Sequence, residues 1–485
     1  EYDDNGNLRH QYDPRDLHTE FVYDELNRKK EHIQPDGLAT TYKYDEEGNI
    51  KSTTDPNNNL ITYDYDELNR ETDVYYPEDP DSPFISTVSI HTDYDGNNNV
   101  IMITEIKKGQ DGSDITDVTD NNYDEFDRLD NSTQRGVMTA YKYDENGNRT
   151  EVSTLAGTTT YTYDRRNRLK TAVIGDKTTI YTYTQDGKTD TVTYSNDAGI
   201  KYNYHDSNRI SDIIHRSGTG EIISRYEYTH DKNGNRKTLT ELQNGKTEKT
   251  EYNYDTADRL EDYTTDISGN KIITKYTYEN YNRKSENVGI IFFRPTEDNI
   301  EGLKDEGLPE EITGKLLYLA DIEYATEDQF AEALKLAIGE VHTAQYRGMI
   351  VGAMQSEKPL KARDYEYDDL TDRLMTVAHT DWVEIIDNTD PDNPKTLRVP
   401  VPKTLSYTYD DNGSMLTKSD SLHPSDDLTF DYNARNQMVR AMRNGTAAGL
   451  YDYNADGMRV RHYSSERGDV DYYYDGRSVI EERRA

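Results

Sequence analysis

The sequence predicts an all-β protein: a spiralling antiparallel β-sheet built from repeated hairpins and interrupted by a small α/β insertion. Three observations carry this. A tyrosine-centred motif recurs along almost the whole chain, polar and aromatic residues alternate inside it with period two, and glycine, asparagine or aspartate follows at a fixed distance.

The motif is clearest at Tyr141-Lys142-Tyr143-Asp144-Glu145-Asn146-Gly147-Asn148-Arg149. With its second tyrosine as anchor, it returns at Tyr2, Tyr23, Tyr44, Tyr65, Tyr94, Tyr123, Tyr143, Tyr163, Tyr183, Tyr204, Tyr228, Tyr254 and Tyr278, then at Tyr367, Tyr409, Tyr432, Tyr453 and Tyr474. Neighbouring anchors of the first series lie 20 to 29 residues apart. A period of that size indicates one supersecondary unit that buries its apolar face only by stacking on its neighbours.

Each copy reads as strand, turn, strand. The residue between the two aromatics is polar in most copies (Lys43, Asp64, Lys142, Thr162, Asp452), which places both rings on one face of a strand. Four residues after the anchor stand Gly6, Gly48, Gly147, Gly187, Gly413 and Gly457, or Asn and Asp as at Asn27, Asn69 and Asp127. These residues tolerate φ > 0, as a tight turn requires. The Asp directly after the anchor, as at Asp45, can accept from the backbone N–H two residues on and fix that turn. An apolar residue such as Leu8, Ile50 or Leu169 then opens the return strand.

Composition fits a sheet wall better than a dry globule. Only 33% of the 485 residues are hydrophobic, and 42 are tyrosine, whose ring packs while its hydroxyl finds a partner or water. A net charge of −38 would repel nucleic acid and anionic membranes. With no cysteine, disulfides and thiolate metal sites are excluded. No apolar run is long enough for a membrane-spanning helix, so membrane insertion is not expected. The start at Glu1, inside a repeat, reads as a window of a longer chain.

Three parts follow in order: repeats over 1–285, an inserted α/β element over 286–362, and repeats again over 363–485. Tyr76 to Pro83 and Lys107 to Gly112 read as extended hairpin loops, and the interval from Tyr367 to Tyr409, twice the basic period, includes the Pro-rich stretches Asp390 to Pro394 and Val399 to Pro402. In the element, Gly289 to Phe293 and Leu316 to Leu319 read as buried strands. Thr326-Glu327-Asp328-Gln329 resembles a capping box, and Phe330, Leu334, Ala337, Ile338 and Val341 share one helical face. The element is a decorative insertion or a plug or docking domain.

Nothing reads as catalytic. The eleven histidines, among them His32, His91, His205, His342 and His462, fall in no helical zinc frame, and no nucleophile elbow, phosphate loop or dinucleotide fingerprint is present. No cofactor or metal site is expected. Turns such as Asp93 to Asn99 share the oxygen-rich character of calcium loops without the closing bidentate Glu, which leaves weak calcium binding as an alternative to plain turn geometry. Tyrosines beside carboxylates could stack on sugar rings.

The Tyr-x-Tyr-Asp-x-x-Gly-Asn-Arg form of residues 141–149 and the Tyr-Asp-x-x-Asn-Arg-Leu form of 163–169 resemble the YD repeats of RHS proteins. That family includes bacterial polymorphic toxins, the C components of toxin complexes, wall-associated toxins and teneurins. The resemblance implies a β-sheet wound into a hollow shell, open or closed. In the full-length parent chain such a shell adjoins further RHS repeats and encloses a C-terminal toxin or effector. It also implies a secreted or cell-surface bacterial location, and a core with Asp-Pro-x-Gly motifs beyond the last repeats. The expectation is a structural scaffold, not an enzyme. The alternative is an extracellular module that binds glycans or a cell-surface receptor.

Overall fold

The computed structural model describes residues 1–13, 15–78, 85–109, 111–267, 269–279, 282–305, 308–320, 322–387, 395–464, 468–475 and 477–484. The expected loop from Tyr76 to Pro83 and the Pro-rich stretch from Asp390 to Pro394 fall largely or wholly outside them. Among the described residues, thirty-five strands belong to one antiparallel sheet. Consecutive strands pair with each other, as Ala39–Tyr44 pairs with Ile50–Thr54 and Val137–Tyr143 with Arg149–Thr154. Two compact units divide the chain: Glu1–Thr178 with Glu366–Val377 and Lys403–Ala485, and Thr179–Tyr365 with Ala378–Pro402.

The period-two alternation sets the faces of the strands. Lys142, Thr162, Thr182, Asn253 and Thr408 are exposed, while the tyrosines on either side of each are buried or half-buried. Where the anchor meets its return strand, the register slips by one residue: Val22 pairs with Glu31 and Tyr23 with Lys29. The same bulge recurs at Tyr44, Tyr65, Tyr143 and Tyr163. A bulge takes a residue out of the ladder and increases twist.

The sheet contributes few buried apolar side chains, such as Val74, Tyr141, Val152 and Val192. The dense apolar core lies instead in the insertion, at the tip of a hairpin whose strands Asn282–Phe293 and Gln355–Tyr367 pair antiparallel. Four helices fill that tip: α1 (Glu297–Asp305), α2 (Glu310–Leu316), α3 (Glu327–Ile338) and α4 (Glu340–Met354). Phe293, Ile300, Leu303, Ile312, Leu316, Phe330, Leu334, Ile350 and Met354 form one cluster.

Two sequence expectations are corrected here. Leu316 to Leu319 is not a strand: α2 ends at Leu316 and a 3-10 turn spans Leu317–Leu319. Leu316 is 1% exposed and Tyr318 84%, and Ile312 and Leu316 are buried together, the i, i+4 spacing of a helix. Four apolar residues in a row do not distinguish the two periods. Val341 does not continue the α3 face either, because Gly339 at φ 83° ends that helix and Val341 is exposed in α4. The capping box is present: Gln329 N–H donates to Thr326 Oγ1 at 3.2 Å, and Ala325 N–H to Gln329 Oε1 at 3.1 Å.

Phe330, fully buried between Phe293 and Tyr324, is the centre of this core. Phe330→Ala is expected to cost about 3–5 kcal/mol by leaving a cavity. Circular dichroism should then show the helical signal melting before the sheet; simultaneous melting would contradict a separate helical core.

Candidate functional site

The repeat itself is the first candidate, because the same atoms are joined in the same way from copy to copy. The Asp after the anchor closes the turn. Asp24 Oδ1 accepts from the N–H groups of Leu26 at 2.9 Å and Arg28 at 2.8 Å, and Asp24 Oδ2 from Arg28 Nε at 2.7 Å. Gly6, Gly48, Gly147, Gly187, Gly413 and Gly457 all sit at positive φ, as do Asn27, Asn69, Asp127 and Asn167. At Gly234, φ is +99°, a backbone conformation that strains any residue with a side chain, while the nearest atoms a Cβ would meet belong to the movable end of Arg209.

The anchor hydroxyls connect one repeat to the one before. Tyr23 donates to Leu8 O at 2.9 Å, Tyr44 to Lys29 O at 2.7 Å, and Tyr65 to Ile50 O at 2.9 Å. Tyr94, Tyr123, Tyr143, Tyr163 and Tyr204 repeat the pattern. So do Tyr254, Tyr278, Tyr409, Tyr453 and Tyr474. The accepting carbonyl lies beside the bulge, where the ladder is broken and a backbone group needs another partner. Tyr2 is 70% exposed. In the repeat of Tyr228 the turn starts two residues later, at Asp231, and His230 takes the anchor's register position opposite Arg236.

A further link was absent from the sequence reading. Five residues after the anchor the chain alternates Asn7, Arg28, Asn49, Arg70, Asn99, Arg128, Asn148 and Arg168. The Asn amides bridge to the side chain at the next turn: Asn7 to Asn27 at 2.9 Å, Asn49 to Asn69 at 3.0 Å, Asn148 to Asn167 at 3.0 Å. Lys188 holds an Asn slot and makes the same bridge to Asn208 at 2.6 Å. Arg guanidiniums reach the next turn's carbonyl and lie over the next anchor ring. Arg128 Nη1 donates to Asp144 O at 3.2 Å with its guanidinium 4.7 Å from the Tyr143 ring centre. Arg28 and Arg70 do likewise at Tyr44 and Tyr94.

Arg128→Ala removes three side-chain bonds to two repeats and cation–π contacts to Phe126 and Tyr143, and is expected to cost about 1–2 kcal/mol. Hydrogen exchange should accelerate at the Asp144–Asn148 turn and not at distant turns. Arg128→Lys should recover little, because it lacks the planar fork.

The second candidate is a seam within the first unit. Turns at the return edge of the early repeats meet turns at the anchor edge of residues 368–475. Arg15 Nη1 lies 2.6 Å from Asp372, Asn57 donates to Asp410 at 3.0 Å, and Asn412 donates to Asp55 at 2.6 Å. Arg435 approaches Glu105 at 3.4 Å, and Arg135 donates to Val460 O at 3.3 Å. Partners advance together, and their sequence separation stays between 325 and 357. The later repeats therefore run beside the early ones in the same direction.

An ion cluster is buried in this seam. Lys107 is 1% exposed and Glu105 2%. Lys107 Nζ donates to Asp117 at 2.9 Å, to Asp452 at 2.8 Å and to Tyr453 O. Glu105 accepts from Thr87 Oγ1 at 2.6 Å. Burial pushes the Glu105 carboxyl up, while the surrounding carboxylates, against the cost of burial, hold Lys107 above the ordinary lysine value. One expectation is overturned: Lys107 lies inside the strand Val100–Lys108, opposite Ile115, rather than starting a loop. Asp452, between two aromatics, is buried.

Because the chain has no cysteine, Asn57→Cys with Asp410→Cys offers a direct probe of the seam. A short bis-maleimide should join the two within one chain at high yield; cross-links only between chains would refute the seam.

At the Asp93 to Asn99 turn, Asp95 already accepts from Asn97 N–H at 2.8 Å, Asn99 N–H at 2.9 Å and the Asn99 amide at 2.9 Å. Turn closure thus accounts for its oxygens. An open groove of about 550 Å³ in the second unit is lined by His230, Asp231, Lys237, Tyr252 and Asp255. Among the described residues no helix is long and apolar enough to cross a membrane.

The family model described as RHS Repeat matches residues 2–40, 30–60 and 44–79. Among curated proteins no sequence matches. Among solved structures, 96% of the chain aligns with a TcdB2-TccC3-Cdc42 crystal structure at 13% identity, TM-score 0.40, covering 27% of that chain. It aligns over 96% with the Photorhabdus luminescens Tc holotoxin pore at 11% identity, TM-score 0.36, covering 28% of that chain. A porin-like protein from Bacteroides uniformis aligns with 55% of the chain at 15% identity and TM-score 0.16, over 94% of its own length. The chain thus spans less than a third of the first two chains.

Proposed function

We propose that this chain, an RHS-repeat protein, is a wall segment whose full-length parent encloses a C-terminal toxin or effector. The seam carries the reading. Within the first unit the later repeats return beside the early ones, in the same direction and at a separation of 325 to 357 residues, which supports a wall that winds around a guest.

The chemistry of the wall supports confinement. Its strands carry Tyr, Thr, Asn and charged side chains with few buried aliphatics outside the helical element. A wall of this polar and aromatic character is suited to holding a partly folded guest without trapping it. The net charge of −38 favours solubility of this wall segment. Its partners in this reading are further repeats, the effector, and other components of a toxin complex. Its place is secreted or at the cell surface.

The test is limited proteolysis of the parent chain with its C-terminal segment. The effector should survive while the wall is folded, and become cleavable when the wall is denatured. An effector digested equally fast in both states would overturn the enclosure reading.

A further inference from the structure

We propose that His10, His18 and Glu20 form a binding site for a divalent transition-metal ion of the zinc class. Each offers one ligand atom, and these atoms all lie within 4.8 Å of one another. The inference is independent of the enclosure reading.

Strand pairing builds the site. His10–Tyr12 runs antiparallel to His18–Tyr23, with His10 opposite Glu20 and Tyr12 opposite His18. Directly opposed residues share a face, and so do residues two apart. His10, Tyr12, His18 and Glu20 therefore stand together, on the face opposite Phe21 and Tyr23. The spacing His10, His18, Glu20 matches no helical motif, which is why a sequence scan for zinc frames passes over it.

A second observation points to a ligand. His10 Nδ1 is shielded from solvent and has no hydrogen-bond partner, and a shielded ring nitrogen of this kind calls for a donor or an ion. The His10 and His18 rings lie 5.4 Å apart at 72°, so they do not stack face to face.

The donor set selects the metal. Two imidazoles and one carboxylate suit zinc and its neighbours, in a tetrahedral arrangement with the fourth position open to water. Metal–nitrogen bonds of about 2.0–2.1 Å imply ligand atoms about 3.3 Å apart, within reach of small side-chain rotations. Calcium and magnesium need six or more oxygens in their shell, of which this site supplies one carboxylate. The other candidate group, Asp420, His423 and Asp426, is already served by a cation, because Lys403 Nζ lies 2.7 Å from Asp420.

Bound there, the ion would cross-link a three-residue strand to its neighbour. The test titrates the full chain, freed of any histidine tag, with Zn²⁺ by calorimetry and with Co²⁺ by visible absorption. One equivalent should bind with a tetrahedral cobalt spectrum. His18→Ala, at an exposed position where folding is not at risk, should weaken binding at least tenfold, Glu20→Gln should weaken it less, and His423→Ala should leave it unchanged. Absence of stoichiometric binding, or equal binding by the His18→Ala and wild-type chains, would overturn the proposal, as would loss of binding in His423→Ala.

Discussion

Lys107→Met is expected to destabilise the seam by about 3–5 kcal/mol, the range for removing one partner from a buried ion pair. The substitution keeps the length of the side chain and removes its charge. Glu105, 2% exposed, and Asp452 and Asp117 then face one another, with Arg435, 3.4 Å from Glu105, as the cluster's remaining cation among the described residues. The loss arises from stranded carboxylates more than from a missing attraction. Adding Glu105→Gln and Asp452→Asn should therefore restore part of the stability, though the lysine is still absent. Repeat arrays do not unfold as a single unit, so the readout must be local. Hydrogen exchange in Leu450–Tyr463 should rise in Lys107→Met and fall back in the triple variant. Equal exchange in both would show that the charge cluster contributes no more than shape.

Stability should hold from about pH 4 to about pH 10 and fail on both sides, for reasons found in every repeat. On the acid side the turn aspartates lie below the usual carboxylate range. The Arg70 backbone N–H and then its guanidinium hold Asp66 down, the Asn148 amide does so for Asp144, and the Arg168 guanidinium takes Asp164 to about 2. A carboxylate depressed by folding contributes stability above its unfolded value, near pH 4, and loses it as the pH falls through its folded value. On the alkaline side burial raises Tyr44, Tyr65, Tyr94 and Tyr163. Their contribution is complete below about pH 10 and is lost above it, when the hydroxyl proton that holds the previous repeat's carbonyl is removed. Relief of the −38 charge works against the acid loss, so moderate acidification to about pH 5 should be harmless. Thermal midpoints measured across the pH range check this. A midpoint unchanged down to pH 2 would mean that the turns do not hold the fold.

What could be read in the sequence was local. Tyr141 and Tyr143 share a face because Lys142 lies between them, and Gly147 sits at positive φ because a tight turn follows Asp144; both follow from neighbours within a few residues. The bond from Tyr143 to Leu129 O is one repeat away and was hidden only because a hydroxyl's partner leaves no compositional trace. Lys107 and Asp452 are 345 residues apart. Each looks like an ordinary surface charge until the strands are laid side by side. His10, His18 and Glu20 converge through cross-strand register, which periodicity along one strand does not encode. In the helical element, the run Leu316 to Leu319 was too short to tell a strand from a helix end, and burial of Ile312 with Leu316 decided it.

The alternation of asparagine and arginine at the fifth position after the anchor has an evolutionary consequence. The two turn types are not interchangeable: an asparagine turn donates its amide to an Asn or Asp oxygen on the next turn, while an arginine turn needs a free carbonyl and an aromatic ring there. From Asn7 to Arg259 the order never slips, even where Lys188 replaces an asparagine. The heritable module is thus a pair of hairpins, like a two-colour tiling in which removing one tile puts equal colours side by side. Length should change in this lineage by whole pairs, and a single-hairpin gain or loss should survive only beside a repeat that already breaks the alternation.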